Sequence, residues 1–379
     1  MRAIVAAVGL LACFSALAES YVWTGAEDAY WTNGNNWASG VAPGVIDLPD
    51  GSTNLNFGCE AVFSGASAQT TINLDGLHSI FKVTVSGAAT PQYTFGASNA
   101  QVLHFEDQGV FTVASDVVNM PLLTCGLGIN RDQPGAGGKV FVENNAPGEL
   151  VVNNFGYVIR PVKPAWGEIG FVLQGTGPKR LAGVFTQPNS FQVKYYFNGT
   201  GKITIDADVT KSSTSHGLDV NGAKTIEITE NGKFRFGDSY CYLVAYDDVT
   251  LMGAGTFLFA SQYRSVNNNY AWYESEIRGN KGKTVTFAPG LTVSNLTDDN
   301  GAGKTSAWKG GMQLKQSNGM NVVFEADNTM PGHIRVMAPF TVSVPKVENL
   351  GLDGIVEVGG KGRIVFTSEE ADTISGGIV

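Results

Sequence analysis

One phrase, Gly-x-Gly-x-apolar-x-apolar, constrains this chain more than any other feature. It stands in full as Gly199-Thr200-Gly201-Lys202-Ile203-Thr204-Ile205, as Gly253-Ala254-Gly255-Thr256-Phe257-Leu258-Phe259 and as Gly360-Lys361-Gly362-Arg363-Ile364-Val365-Phe366. Looser copies keep only the second glycine, at Gly138, Gly232 and Gly282. From Gly201 the second glycines step to 232, 255 and 282, intervals of 31, 23 and 27 residues. A drifting period in the twenties marks a solenoid whose turns tolerate insertions.

Glycine lets the backbone turn at positive φ, and the run that follows alternates with period two. That alternation predicts Ile203, Ile205, Phe257, Phe259, Ile364 and Phe366 as core, with Lys202, Thr204 and Arg235 turned to water. One such turn buries almost nothing by itself. Stacked turns pair edge to edge at ~4.8 Å and share one apolar interior, which is the logic of a parallel β-helix. About 13 rungs of ~25 residues would give a rod on the order of 60 Å long.

Composition agrees. Glycine accounts for 48 of 379 residues while charged residues are only 16% and apolar residues 43%, so the chain can bury a core and punctuates it with tight turns. No long stretch repeats apolar residues at helical spacing behind a cap. Polar runs such as Asn35-Asn36, Asn144-Asn145, Asn267-Asn268-Asn269 and Asp298-Asp299-Asn300-Gly301 fall where corners and insertions belong. The expected class is all-β, a single-stranded parallel β-helix. A β-sandwich, single or in tandem, is the rival, but it gives no reason for the glycine phrase to return.

Residues 1–18 read as a targeting segment: Arg2 supplies a positive charge, Ala3 to Phe14 an apolar stretch, and Ala16-Leu17-Ala18 a small-x-small cleavage site. A competing reading takes Leu10-Leu11-Ala12-Cys13 as a lipobox with Cys13 acylated. No later stretch approaches the ~18 apolar residues of a spanning helix. Net charge is −9, with no Lys/Arg-rich run, which argues against nucleic acid as a partner. After signal removal Cys59, Cys125 and Cys241 remain at wide spacing, neither a disulfide framework nor a metal-binding pattern.

Half of the six tryptophans, Trp23, Trp31 and Trp37, stand in the stretch YVWTGAEDAYWTNGNNWASGVAPG from 21 to 44. A β-helix leaves the backbone edge and apolar interior of its first rung open, and both invite aggregation unless covered. Residues 19–58 are therefore expected to form a Trp-rich N-terminal cap, with nearby Asn and Asp side chains as partners for the indole N–H groups. A sugar-binding platform, with indoles exposed, is the alternative. Residues 59–379 would be the β-helix, left open or truncated where Ile374 to Val379 stop in mid-phrase.

The glycine repeat, together with Trp23-Thr24-Gly25, Trp31, Asn36-Trp37, Gly40, Pro43-Gly44 and Phe57, resembles the secreted bacterial proteins with autotransporter-associated β-strand repeats. The resemblance implies a right-handed parallel β-helix of the passenger type, exported to the outside or the outer surface of a bacterium.

Chemistry is sparse. Gly301-Ala302-Gly303-Lys304-Thr305 suggests a phosphate loop, but Asp298 holds the place of the required first glycine. Asp298, Asp299 and Asn300, and separately Asp47 with Asp50, group oxygen ligands as calcium needs, without a defined loop and its terminal Glu. Polygalacturonase-like chemistry would need carboxylate, histidine and Arg-x-Lys elements in an order this chain does not have, since Ser215-His216-Gly217 precedes Asp247-Asp248 and Asp298-Asp299. Arg264 and Arg278 stand isolated, as do His78, His104, His216 and His333, so no triad forms on sequence grounds. The expectation is a non-catalytic exported scaffold without a cofactor, calcium excepted, whose flank contacts glycans or extracellular matrix. A polysaccharide lyase or hydrolase, a glycan-binding module and a lipid-anchored structural protein are the alternatives.

Overall fold

The computed structural model describes residues 19–48, 50–129, 138–156, 168–186, 192–209, 216–222, 225–236, 241–259, 262–266, 269–273, 275–295, 308–314, 319–325, 333–336, 339–346 and 356–368. They form a parallel β-helix. Parallel pairing builds two large sheets, of 13 and 15 strands, so the rung count expected from the repeat is met. The second sheet bends. Strand Ile203–Val209 pairs through Ile203 to Ile205 with Thr225–Ile228, and through Asp208 and Val209 with Lys233–Phe236. The coil thus presents three faces.

Alternation places one residue of each pair in the interior. In the thirteen-strand sheet a single inward ladder runs Ala61, Val83, Phe111, Val142, Leu173, Phe197, Val220 and Ala245, partner to partner. All are 0% exposed. Ile203, Ile205 and Phe257 are buried as expected. Three outward assignments fare differently: Lys202 is exposed and pairs with Glu227 at 2.5 Å, the Arg235 side chain lies outside the described residues, and Thr204 is buried. The last is a correction. Thr204 stands in register between Arg180 and Glu227 of the adjoining strands.

Phe366 is a second correction. It is 38% exposed, and its neighbour Ile364 is only partly buried against the core. Among the described strands Arg363–Phe366 pairs only with Thr341–Val344. Phe259 is in strand, between Phe236 and Asn295 in register; its side chain lies outside the described residues.

The glycine phrase has two jobs, and periodicity alone revealed one. Gly199 has φ +88°, the left-handed turn that glycine permits. Gly201 has no such dihedral. Instead, a Cβ there would overlap the carbonyl oxygen of Gly177 in the rung before. Gly253 and Gly360 likewise turn at positive φ, and Gly255 and Gly362 lie against a carbonyl of the adjoining rung; Gly199 and Gly253 do both, since a Cβ there would also overlap the carbonyls of Gly175 and Ile228. The phrase also occurs at more than one corner of the coil. Phe234 pairs with Phe257, so the step from Gly232 to Gly255 is a true rung, whereas Val285 pairs with Val249 on another face. The intervals of 31 and 27 therefore join different corners.

Two antiparallel additions interrupt the coil. Val45–Asp47 pairs with Thr53–Leu55 and with the start of Leu77–Ser86, and His78 Nε2 lies 2.6 Å from Asp47 Oδ2 across that junction. Farther along, Gln262–Val266 pairs antiparallel with Asn269–Tyr273 and with the first residues of Trp308–Leu314. Of the expected Asn267-Asn268-Asn269 corner, Asn269 opens strand Asn269–Tyr273, and Asn267 and Asn268 lie outside the described residues.

At the N-terminus Trp23, Trp31 and Trp37 are 2%, 0% and 2% exposed. Their rings meet edge to face at 5.0 Å and 4.9 Å, and all three lie about 6 Å from Phe63, in the geometry aromatic quadrupoles favour. The indole N–H groups donate to the carbonyls of Gln69, Pro43 and Trp31 at 3.0, 2.9 and 2.9 Å. Backbone carbonyls, rather than the expected Asn and Asp side chains, satisfy them. Buried Asn36 instead organises the loop, accepting from the Glu27 and Asp28 amides and donating to Asp28 and to the Tyr30 carbonyl. Strand Ser20–Val22 just ahead of the cluster already pairs in parallel with Glu60–Ser64. Burial this complete leaves no indole face for a sugar.

Candidate binding flank

Among the described residues, the outer face of the thirteen-strand sheet carries a cluster of interacting polar and aromatic side chains. Its strands Lys139–Asn144, Glu168–Gln174, Gln192–Asn198, His216–Asn221, Cys241–Ala245 and Ser275–Gly279 stack in that order. Register aligns two outward columns. One reads Lys139, Gly170, Lys194, Gly217 and then Tyr242, large residues alternating with glycine; the other, two residues along, includes Tyr196, Asp219 and Arg278.

The glycines make room for neighbours to lie flat. A Cβ at Gly170 would stand 2.7 Å from Lys139 Cγ and 3.0 Å from Tyr196 Cε2. Over that gap the Lys139 ammonium reaches the Tyr196 ring, 4.3 Å from its centroid, and Lys194 approaches the same ring at 4.9 Å. The Lys194 stem passes over Gly217, whose Cβ would be 3.2 Å from its Cγ, and its ammonium meets Asp219 Oδ2 at 2.9 Å. The Asp219 side chain is only 8% exposed, so the pair is held largely out of water and is screened little by salt. One strand farther, the Arg278 guanidinium lies 3.4 Å from the Tyr242 ring centroid, a stacked cation–π contact. The interactions run from one column to the other, diagonally between strands except for Lys194 and Tyr196, which share strand Gln192–Asn198.

A second cation is spent inside the coil. Lys179 is 0% exposed and lies between Leu150 and Ile203 in an inward ladder. Its Nζ donates to the Gly177 carbonyl at 2.7 Å and the Gly175 carbonyl at 3.2 Å. Burial pulls its pKa down to about 8, with Glu143 acting weakly the other way. Next to it, buried Asn144 donates to the Gly148 and Pro178 carbonyls, both at 2.8 Å. This corner is a further copy of the repeat, Gly175-Thr176-Gly177-Pro178-Lys179-Arg180-Leu181, missed because lysine replaces the first apolar residue.

The other chemical candidates separate. Asp298, Asp299, Asn300 and Lys304 lie outside the described residues, as do the side chains of Arg264, Cys241, His216 and His333. Asp47 binds Thr53 at 2.9 Å, and Asp50 accepts from Ser52, so each is engaged in its own turn. Asp247 and Asp248 both face Lys283, at 3.3 and 3.8 Å. Cys59 and Cys125 are free and buried, and burial raises both thiols, Cys125 to about 12, which keeps them protonated and unreactive. Among the described residues no three of His, Cys, Asp and Glu converge as a metal would require, and no helix is long and apolar enough to cross a membrane.

Nothing in the sequence pointed to Lys139, Lys194 and Tyr196 as a set. They are 57 residues apart at the extremes, and their alternation with glycine exists only once the rungs are in register. No protein-family model matches the chain, and neither does a curated protein or a solved structure.

Proposed function

We propose that this chain is an exported, non-catalytic repeat scaffold of the autotransporter-passenger kind, which contacts glycans or extracellular matrix along its flank at the bacterial surface. The observation that carries it is the row of diagonal interactions from Lys139 to Arg278, which keeps polar and aromatic groups in fixed register on a rigid parallel sheet. A preorganised surface loses little entropy on binding an extended partner. The N-terminal tryptophan phrase and the glycine repeat support the family resemblance, and the segment before Glu19 supports export.

Purified residues 19–379 applied to a glycan and matrix-protein array test the binding function, and saturable, salt-sensitive binding is expected. Polysaccharide cleavage by the same preparation would replace the scaffold with an enzyme. Intact mass of the secreted protein is expected to show cleavage after Ala18; a diacylglyceryl Cys13 would make it lipid-anchored.

A further inference from the structure

Strand Thr53–Leu55 and the residues after it are patterned the wrong way round for a coil that stands alone. Thr53, Leu55 and Phe57 are exposed, while the alternate residues Asn54 and Asn56 are half-buried. Asn56 donates to the Tyr21 hydroxyl of its own coil at 2.8 Å, whereas Leu55 is 65% and Phe57 53% exposed. Apolar residues on the solvent side of a strand, with polar ones beneath, mark a contact surface.

The backbone of this strand is open as well. Among the described residues Thr53–Leu55 pairs only with Val45–Asp47. The Leu48 N–H donates to the Ser52 carbonyl, while the Asp47 N–H turns the other way, to Gly76. Opposed residues of an antiparallel pair alternate between bonded and non-bonded, so Ile46 and Asn54 exchange hydrogen bonds. The N–H and C=O groups of Thr53 and Leu55 therefore point away from the hairpin, and no described strand receives them. Neither Lys nor Pro, which commonly blunt such an edge, occurs between Gly51 and Cys59.

We propose that this edge pairs with the same edge of a second copy of the chain, antiparallel about a two-fold axis through Asn54. Thr53 of each copy then exchanges N–H···O=C bonds with Leu55 of the other, and the two Leu55 side chains meet on one face. The contact is isologous. It joins the two hairpins into one sheet, which continues on either side into strand Leu77–Ser86.

Charge favours this place over others. The chain carries net charge −9, yet residues 51–59 carry none. Asp50, in the hairpin turn, is four residues from the axis, which sets its two copies on the order of 25 Å apart, well beyond the ~8 Å screening length of physiological salt. The axis does bring Asp50 level with the second copy's Gly58, whose amide donates to Glu106, a like-charge approach that added salt screens. With three residues in the strand, the dimer is a weak one. It carries two copies of any binding flank, which raises avidity for a polymeric partner without a new contact.

Sedimentation velocity of purified residues 19–379 from about 1 to 100 µM tests the proposal. A monomer–dimer equilibrium that tightens as salt rises is expected. Leu55→Lys should weaken it about tenfold or more at unchanged thermal midpoint, while Met252→Lys, the same change of charge at another exposed apolar position, should leave it unaltered. A chain that is monomeric at every concentration would overturn the inference, leaving the edge to an extended segment of another protein. So would a dimer that Leu55→Lys leaves intact, or one that Met252→Lys weakens equally.

Discussion

Lys179 holds the same inward register as Ile203, one rung away, so that an ammonium stands where the repeat calls for a branched alkyl chain. The carbonyls of Gly177 and Gly175 receive it, and the glycine corner that the repeat requires is what brings those carbonyls within reach.

This arrangement makes stability depend on pH in a defined direction. An unfolded lysine titrates near 10.5 and the folded one near 8. Below about pH 8 both states hold the proton, and the cost of the buried charge is fully present. Between about 8 and 10.5 the unfolded state binds more protons than the native state, so the Lys179 contribution to stability rises with pH, by up to about 1.4 kcal/mol per unit. Cys125 and Tyr21, both raised to about 12, act in the opposite direction once their unfolded forms ionise. They are common to wild type and Lys179→Met, so the difference between the two isolates the lysine. Urea titrations should find Lys179→Met at least as stable as wild type at pH 7, with wild type gaining on it by pH 10. A difference that stays flat with pH would show that Lys179 ionises normally in the fold.

Two second glycines of the repeat, Gly201 and Gly282, should fail differently. Gly201→Ala places a methyl against the Gly177 carbonyl, backbone on backbone, and overpacking of that kind should cost about 3 kcal/mol or more. Gly282 turns at φ +73° but a Cβ there would meet nothing within 4 Å, so Gly282→Ala should cost only about 1 kcal/mol, for the dihedral alone. Equal losses in denaturant midpoint would mean that the rungs do not meet backbone on backbone at Gly201.

Strand register is tested by two phenylalanines. Phe257 is 0% exposed, stacked on the ring of Phe234 and edge to face with that of Phe287, so Phe257→Ala should cost about 3–5 kcal/mol. Phe366, at 38% exposure, should cost well under that, near 1 kcal/mol. If Phe366→Ala proved as damaging as Phe257→Ala, a further strand would have to cover it.

The coil was legible because its determinants are local: a glycine corner and a period-two run fall within seven residues, so Ile203, Ile205 and Phe257 could be assigned inward before any contact was known. Phe366 and Thr204 could not, because exposure there is set by neighbours on other strands, Thr341–Val344 for Phe366 and the strands of Arg180 and Glu227 for Thr204. The flank was hidden for the same reason. Lys139, Gly170 and Lys194 become neighbours only after the rungs stack. Lys179 is different: its glycine phrase was in plain view at Gly175 and Gly177, and a lysine at an apolar position disguised it.

The tryptophan cluster gives the last prediction. Trp31 is completely buried, its N–H is held by the Pro43 carbonyl, and its own carbonyl receives the N–H of Trp37. The three indoles rest on Phe63, which in turn packs against Phe95 at 4.8 Å, so the cap continues directly into the aromatic interior of the first rungs. Trp31→Ala should therefore cost about 3–5 kcal/mol and expose apolar surface and strand edge together, a combination that promotes aggregation. Because Trp166, Trp272 and Trp308 also emit, the spectroscopic test needs a background with those three changed to Phe. In it, the emission of Trp23, Trp31 and Trp37 should be blue-shifted and resistant to acrylamide. Ready quenching, with oligosaccharides protecting the signal and stability indifferent to Trp31→Ala, would restore the sugar platform and remove the cap.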